Sequence, residues 1–176
     1  MRRVIPLTLT ALAAALALTA CDDGGSGGGT DGARSSTGSG CAAGAVSLEV
    51  GSASVAPAAG DSGEVPVSIT NQSAPCVLDH FPGVTLRDGD RSVKLAVSEG
   101  AQAQTLKLAK GASATFTVSY VRGADGDAKA LKASSMEVTL PGGGEAKTFP
   151  WKFGPVAGKG ADGVDGSVSA FQQVGD

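Results

Sequence analysis

The sequence predicts an all-β fold, an immunoglobulin-like antiparallel β-sandwich of about seven or eight strands. Glycine occurs 27 times and proline 8 times, and both residues disfavour the interior of a helix. From residue 41 onward, apolar residues alternate with polar residues in short runs, and turn-forming residues separate these runs. Many short strands with one solvent-facing side indicate two packed antiparallel sheets rather than an α/β fold.

Residues 1–20 have the features of a bacterial lipoprotein signal peptide. Two arginines follow Met1, and the apolar run from Val4 to Leu18 is shorter than a membrane-spanning segment. The run ends in a segment that resembles the lipobox, with an aliphatic residue, two small residues and then Cys21. The resemblance implies that Cys21 is lipidated and anchors the protein to the outer face of the cell membrane. An ordinary secretory signal with a chance cysteine is the alternative.

Residues 22–40 predict a flexible linker, because they are mostly Gly, Ser, Thr and Asp and include no side chain large enough to build a core. Random-coil scaling gives such a linker a root-mean-square span of about 25 Å. The predicted organisation is therefore a signal peptide (1–20), a lipidated cysteine with a linker (21–40) and one domain (41–176). The glycine-rich stretch 154–176 predicts a flexible tail with at most one irregular last strand.

The strands are predicted from period-two alternation, in which every second side chain faces the core. The apolar positions, in chain order, are Val46, Leu48 and Val50; Val65, Val67 and Ile69; Val84 and Leu86; Val93, Leu95 and Val97; Leu106 and Leu108; Ala112, Ala114, Phe116, Val118 and Tyr120; Met136, Val138 and Leu140; and Phe149, Trp151 and Phe153.

Three local features refine this pattern. The sequence Asp88–Asp90 predicts a hairpin turn between the third and fourth runs. Pro150 cannot donate to a ladder of hydrogen bonds, so the last aromatic strand is expected at a sheet edge. The segment Asp127–Lys132 is the only one with helical tendency and predicts one or two helical turns.

Cysteine usage predicts a disulfide. If Cys21 is acylated, Cys41 and Cys76 are the only pair left in an oxidising compartment. A two-thiol metal or redox site is the alternative, but the sequence has neither CxxC spacing nor a cluster of histidines.

Three segments resemble the signature of a known family: Asn71–Leu78, Phe81–Val84 and Leu86–Asp88. They are similar to the actinobacterial lipoprotein domain known as domain of unknown function 4232. In that family an early cysteine precedes the first strand, and a second cysteine leads into a Gly-Tyr-Pro-Gly-like turn. Cys41 and Cys76 match the two cysteines, while His80 and Phe81 stand where the family usually has Gly-Tyr. The resemblance covers about residues 41–153 and implies a β-sandwich without established chemistry.

The segment Gly60–Gly63 matches the sequence around the nucleophile of trypsin-like proteases, which makes Ser62 a candidate nucleophile. The lone histidine of the chain, His80, follows the serine instead of preceding it, and the chain is too short for two barrels. A turn between strands explains the segment better, because Gly, Asp and Ser are common turn formers. We likewise interpret His80 and three acidic pairs as loop residues. The pairs are Asp88 with Asp90, Asp125 with Asp127, and Asp162 with Asp165.

The aromatic run Phe149, Trp151 and Phe153 has two interpretations. The three rings could form an exposed platform for a sugar, or they could be part of the core. The core is favoured because the chain has one Trp, one Tyr and five Phe in total.

The function expected from the sequence is non-enzymatic. We expect a lipid-anchored protein that binds or scaffolds another envelope component through its loops or an exposed strand edge, without a cofactor. A net charge of −3 with scattered Lys and Arg gives no basic face for nucleic acid. One alternative is a glycan- or small-ligand-binding module that uses Trp151, and another is a hydrolase that uses Ser62.

Overall fold

The computed structural model describes residues 39–174. The predicted signal peptide, Cys21 and nearly all of the predicted linker lie outside the described residues. Within residues 39–174 the chain is all-β, and no helix there is long and apolar enough to cross a membrane. The prediction of an all-β sandwich is confirmed.

The described residues form fourteen strands, and several of them are only two or three residues long. In chain order they are β1 (Val46–Val50), β2 (Ser62–Asn71), β3 (Cys76–Leu78), β4 (Gly83–Asp88), β5 (Arg91–Lys94), β6 (Ala96–Val97), β7 (Leu106–Leu108), β8 (Ser113–Val121), β9 (Ser135–Thr139), β10 (Lys147–Pro150), β11 (Gly158–Lys159), β12 (Gly163–Val164), β13 (Gly166–Val168) and β14 (Gln172–Gln173).

The larger sheet has six strands. Its order is β1-β2-β8-β13-β6, and β14 pairs with β8 beside β13. The pairs are antiparallel except for β13 and β6, which run parallel. Strands β2 and β8 form its centre, in register from Ser62 opposite Val121 to Thr70 opposite Ser113.

The smaller sheet has four antiparallel strands in the order β10-β9-β4-β5. Two further pairs, β3 with β7 and β11 with β12, lie outside the two main sheets. A hydrogen bond and the charge of Glu137 on β9 raise the pKa of Arg87 on β4 above its ordinary value. The pair therefore joins two neighbouring strands on the solvent side of this sheet.

One continuous core lies between the two main sheets. The alternating side chains predicted to face inward are fully buried on β2 and β8, including Val65, Val67, Ile69 and Val118. They join side chains from the smaller sheet in a single hydrophobic cluster, whose fully buried members there include Val84, Leu86 and Val138.

The glycine-rich C-terminal stretch belongs to this core, so the prediction of a flexible tail is wrong. Val156 is fully buried and exchanges two backbone hydrogen bonds with Leu131, of 2.8 and 2.9 Å. Phe171 is also fully buried and packs edge-to-face on Phe116, with ring centroids 5.9 Å apart. The sequence does not reveal this contribution, because the four strands β11–β14 are too short to show alternation.

The predicted helical turns over Asp127–Lys132 are also wrong. The segment contains turns, in which the Asp127 carboxylate accepts the Lys129 backbone N–H at 2.9 Å. The backbone of Leu131 cannot join a helix because both its N–H and its C=O bond to Val156.

The predicted hairpin is confirmed in its first part only. Strands β4 and β5 pair across a two-residue turn, with Asp88 opposite Arg91. The chain then leaves the smaller sheet at Leu95, and β6 joins the larger sheet beside β13. Val97, which was expected to face the core, is instead 43% exposed.

Each of the two prolines in the strands lies where a ladder of backbone hydrogen bonds between two strands ends. Pro150 lies on β10 at the edge of the smaller sheet, which confirms the edge prediction. Pro66 accepts a hydrogen bond from Gly51 N–H at 2.9 Å but has no N–H to return. The pairing of β1 with β2 accordingly stops at Val50.

Candidate functional site

The predicted disulfide between Cys41 and Cys76 is present, and both residues are buried. It joins the start of the domain to β3. The backbone reinforces the link, because Cys41 N–H donates to Val77 O at 2.9 Å and Val77 N–H donates to Ser39 O at 3.2 Å. The entry point of the N-terminal segment is therefore fixed to the sandwich.

The structure gives three residues of the Gly60–Gly63 segment a role in the fold. Gly60 adopts a φ of 89°, and the Asp61 carboxylate accepts the Ala58 N–H at 3.0 Å, as in a turn. Gly63 lies against the ring of Tyr120, where a Cβ would come within 2.5–2.7 Å of three side-chain atoms. The protease-like sequence thus follows from a turn and a close aromatic contact.

Ser62 and His80 line two different hollows. Ser62 borders one with Asp165 and Ser167, and no histidine is among the described residues of that lining. His80 borders another beside Gly40 and Pro141, at the end of the domain where the chain enters. The structure does not bring the two residues together as a nucleophile and its base.

His80 is the only non-glycine residue with a positive φ, 61°, among the described residues. The Asp79 carboxylate accepts the His80 backbone N–H at 2.8 Å and lies 3.2 Å from the imidazole Nδ1. It also accepts the Thr105 hydroxyl at 3.2 Å. These contacts hold the turn in a conformation that glycine would adopt without steric cost.

Asn71 is the one polar residue that is fully buried among the described residues. Its amide group donates to Ala74 O at 2.9 Å and to Leu108 O at 3.0 Å, and its oxygen accepts the Ser73 N–H at 3.0 Å. The Asn71 side chain therefore joins the turn after β2 to β7.

The aromatic residues form a cluster in which Trp151 is central. Its indole ring packs edge-on against Tyr120, with centroids 5.1 Å apart, and against Phe153 at 4.9 Å. The indole N–H donates to Gly154 O at 2.7 Å. Only 6% of Trp151 is exposed, so it is a core residue and presents no open face for a sugar ring.

An apolar seam lies between β1 and β10, the two strands that end the two main sheets on the same side. Leu48, Val50, Phe149 and Phe153 are half-buried there and pack against the core. At one end of the seam, a hollow of about 280 Å³ is lined by Val50, Phe149, Phe153 and the exposed Lys152. We call this feature the seam hollow.

The seam hollow lies away from the point where the chain enters the domain. Ala43 N–H donates to Gly143 O at 3.2 Å, so β1 and β10 both start near the disulfide. They end together at Val50 and Pro150, which line the hollow. The five residues of β1 place the hollow about 16 Å from the entry end.

Lys152 has no acidic partner within 4.0 Å among residues 39–174. It lies between the seam hollow and a second hollow lined by Asp125, Lys132 and the edge of Trp151. The seam hollow thus combines half-buried aromatic side chains with an unpaired positive charge. Sequence analysis missed it because β1 and β10 are about 100 residues apart, and only the paired sheets bring them together.

The sequence model of the family described as Domain of unknown function (DUF4232) matches residues 41–172, so the chain belongs to that family. The match extends to the first residue of β14 and includes the strands β11–β13 near the C-terminus. No curated protein and no solved structure matches the chain.

Proposed function

We propose that this member of the DUF4232 family is a lipid-anchored protein of the cell envelope, whose sandwich binds another envelope component without catalysis. The observation that carries the binding role is the seam hollow. Half-buried apolar side chains lie there beside Lys152, which has no acidic partner among residues 39–174. Such a combination of apolar and charged groups is typical of recognition surfaces.

The lipidation of Cys21 and the extracytoplasmic location rest on the sequence of residues 1–21. The disulfide supports the same location, because disulfides persist mainly in oxidising compartments. A flexible linker over residues 22–40 would let the domain turn its hollow towards partners in the envelope.

The non-enzymatic proposal is supported by the positions of the candidate catalytic residues. Among residues 39–174 no histidine lines the hollow of Ser62, and His80 is 78% exposed at its side chain, with Asp79 as the one other charged residue in its hollow. The glycan alternative loses support because Trp151 is buried and its N–H is satisfied within the chain.

A site-specific photo-crosslinking experiment tests the binding role. A photoreactive phenylalanine derivative replaces Phe149 at the seam hollow, and in a control chain it replaces Lys94 on β5, the opposite edge of the same sheet. In intact cells of the native host we expect a discrete crosslinked product from position 149 and none from position 94. Equal products at both positions, or none at position 149, would contradict the proposal.

A further inference from the structure

The outer edge of β1 carries backbone groups that no described residue pairs. Gln72 N–H donates to Ala45 O at 3.1 Å, and Gly51 N–H donates to Pro66 O at 2.9 Å. Because every second residue of an antiparallel strand bonds to its neighbour, the odd-numbered residues of β1 face β2. The N–H and C=O groups of Val46, Leu48 and Val50 therefore point away from the sheet.

A proline interrupts the neighbouring edge. On β10, Trp151 N–H donates to Ser134 O at 2.9 Å, and the register places Pro150 opposite Ser135. By the same alternation, the backbone nitrogen of Pro150 points outward, where proline has no hydrogen to donate. Proline is one of the devices that protect sheet edges, and β1 has neither a proline nor a lysine.

From these observations we infer that the outer edge of β1 binds an extended segment of a partner protein as an added strand. The segment has an apolar side chain that enters the seam hollow and, two residues along on the same face, a carboxylate that contacts Lys152. This inference rests on the proposed binding function and specifies the site and the chemistry of the partner.

The geometry of the seam supports this occupant. An added strand would lie about 4.8 Å from β1, on the side where Leu48 and Val50 are only half-buried. Alternate side chains of that strand would point towards the core of the sandwich, as those of β1 do, and would cover the open faces of Phe149 and Phe153.

Charge favours an acidic segment over a second copy of this chain. Lys152 lines the hollow without an acidic partner among residues 39–174. A second β1 pairing with the first would direct Val46, Leu48 and Val50 towards the core, and it would bring no carboxylate to this lysine. A partner strand with an apolar residue and an acidic residue on the same face, two positions apart, satisfies both the hollow and the charge.

The test uses the mature chain in mild detergent and a short acetylated, amidated peptide in which one threonine separates a valine from a glutamate, so that both lie on the same face of the strand. Amide hydrogen exchange is followed by NMR at Leu48 and Val50, whose N–H groups point outward, and at Ser47 and Glu49, whose N–H groups bond to β2. We expect saturating peptide to slow exchange at least about tenfold at the first pair and to leave the second pair unchanged. The same peptide with lysine in place of glutamate should bind more weakly.

Two variants test the two parts of the inference. Val50→Pro removes one outward N–H without touching the bonds between β1 and β2, and it should abolish binding of the peptide. Lys152→Glu leaves β1 intact and should weaken binding at least about tenfold, whereas the control Lys94→Glu should change it less than about twofold.

Each other outcome counts against the inference. If position 149 forms crosslinks in cells but the peptide never protects Leu48 and Val50, the binding function stands and the added strand is wrong. If Lys152→Glu and Lys94→Glu bind the peptide equally well, the acidic partner is wrong. If Leu48 and Val50 become protected without peptide as protein concentration rises, the edge pairs with a second copy.

Discussion

Breaking the Cys41–Cys76 disulfide should remove a large part of the stability of the domain. The two cysteines are 35 residues apart, and a cross-link that closes a loop of this length contributes about 4 kcal/mol in the chain-entropy model. Stabilities of single domains are about 5–15 kcal/mol in total. For a domain of this size we expect the midpoint of thermal unfolding to fall by about 10–15 °C.

The assay compares thermal unfolding of the mature chain in detergent, oxidised and reduced, by circular dichroism. The double variant Cys41→Ala/Cys76→Ala is the matched control, because a reductant should not lower its midpoint further. Its midpoint should lie near that of the reduced wild type. A reduced protein that melts within about 3 °C of the oxidised one would refute the reasoning, since the two backbone bonds at Val77 would then hold the segment alone.

Three further predictions concern residues whose roles became clear only in the structure. Gly63→Ala should lower the free energy of unfolding by about 1–3 kcal/mol in denaturant titrations, because its Cβ would overlap the Tyr120 ring; a neutral result would contradict the contact. Asn71→Ala should cost about 2–3 kcal/mol, because it removes the donor to the buried Leu108 carbonyl and the turn bonds to Ala74 and Ser73; the exposed Gln72→Ala is the control and should change stability by less than about 0.5 kcal/mol. His80→Gly should be more stable than His80→Ala by about 1 kcal/mol, because only glycine adopts a positive φ without cost; equal stabilities would show that the backbone relaxes there.

The sequence predicted the strands that are long enough to show the two-residue alternation of apolar and polar side chains. The runs at β2 and β8 identified their buried side chains correctly, including Val67 and Phe116. The disulfide followed from the number of cysteines and from the expected compartment. Pro150 indicated a sheet edge because a residue without an N–H cannot donate a hydrogen bond to a neighbouring strand in any β fold.

The remaining features depend on tertiary contacts that alternation does not encode. The chain passes from one sheet to the other at Leu95 without any turn residue to mark the change. The C-terminal strands are two or three residues long, so Val156 and Phe171 looked like isolated apolar residues in a tail. The residues next to Leu131 favour a helix by their sequence, but the hydrogen bonds between Leu131 and Val156 determine the backbone conformation.

The candidate site was less predictable than the fold. Trp151 was correctly favoured as core, whereas Phe149 and Phe153 are only half-buried. Because β10 ends at Pro150, Trp151 and Phe153 lie beyond the strand that was expected to hold them. The seam hollow needs Val50 from the start of the domain and Phe149 from near its end. Only the order of strands in the two sheets shows that these residues are neighbours.

The proposed function depends on the lipid anchor at Cys21, which is predicted from the sequence alone. The most direct measurement is the intact mass of the protein purified from its native membranes, before and after reduction and alkylation. We predict the mass of residues 21–176 plus acyl chains, with two alkylated cysteines that appear only after reduction. An unlipidated chain, or thiols at Cys41 and Cys76 that react without reduction, would contradict the account of a lipid-anchored, disulfide-linked envelope protein.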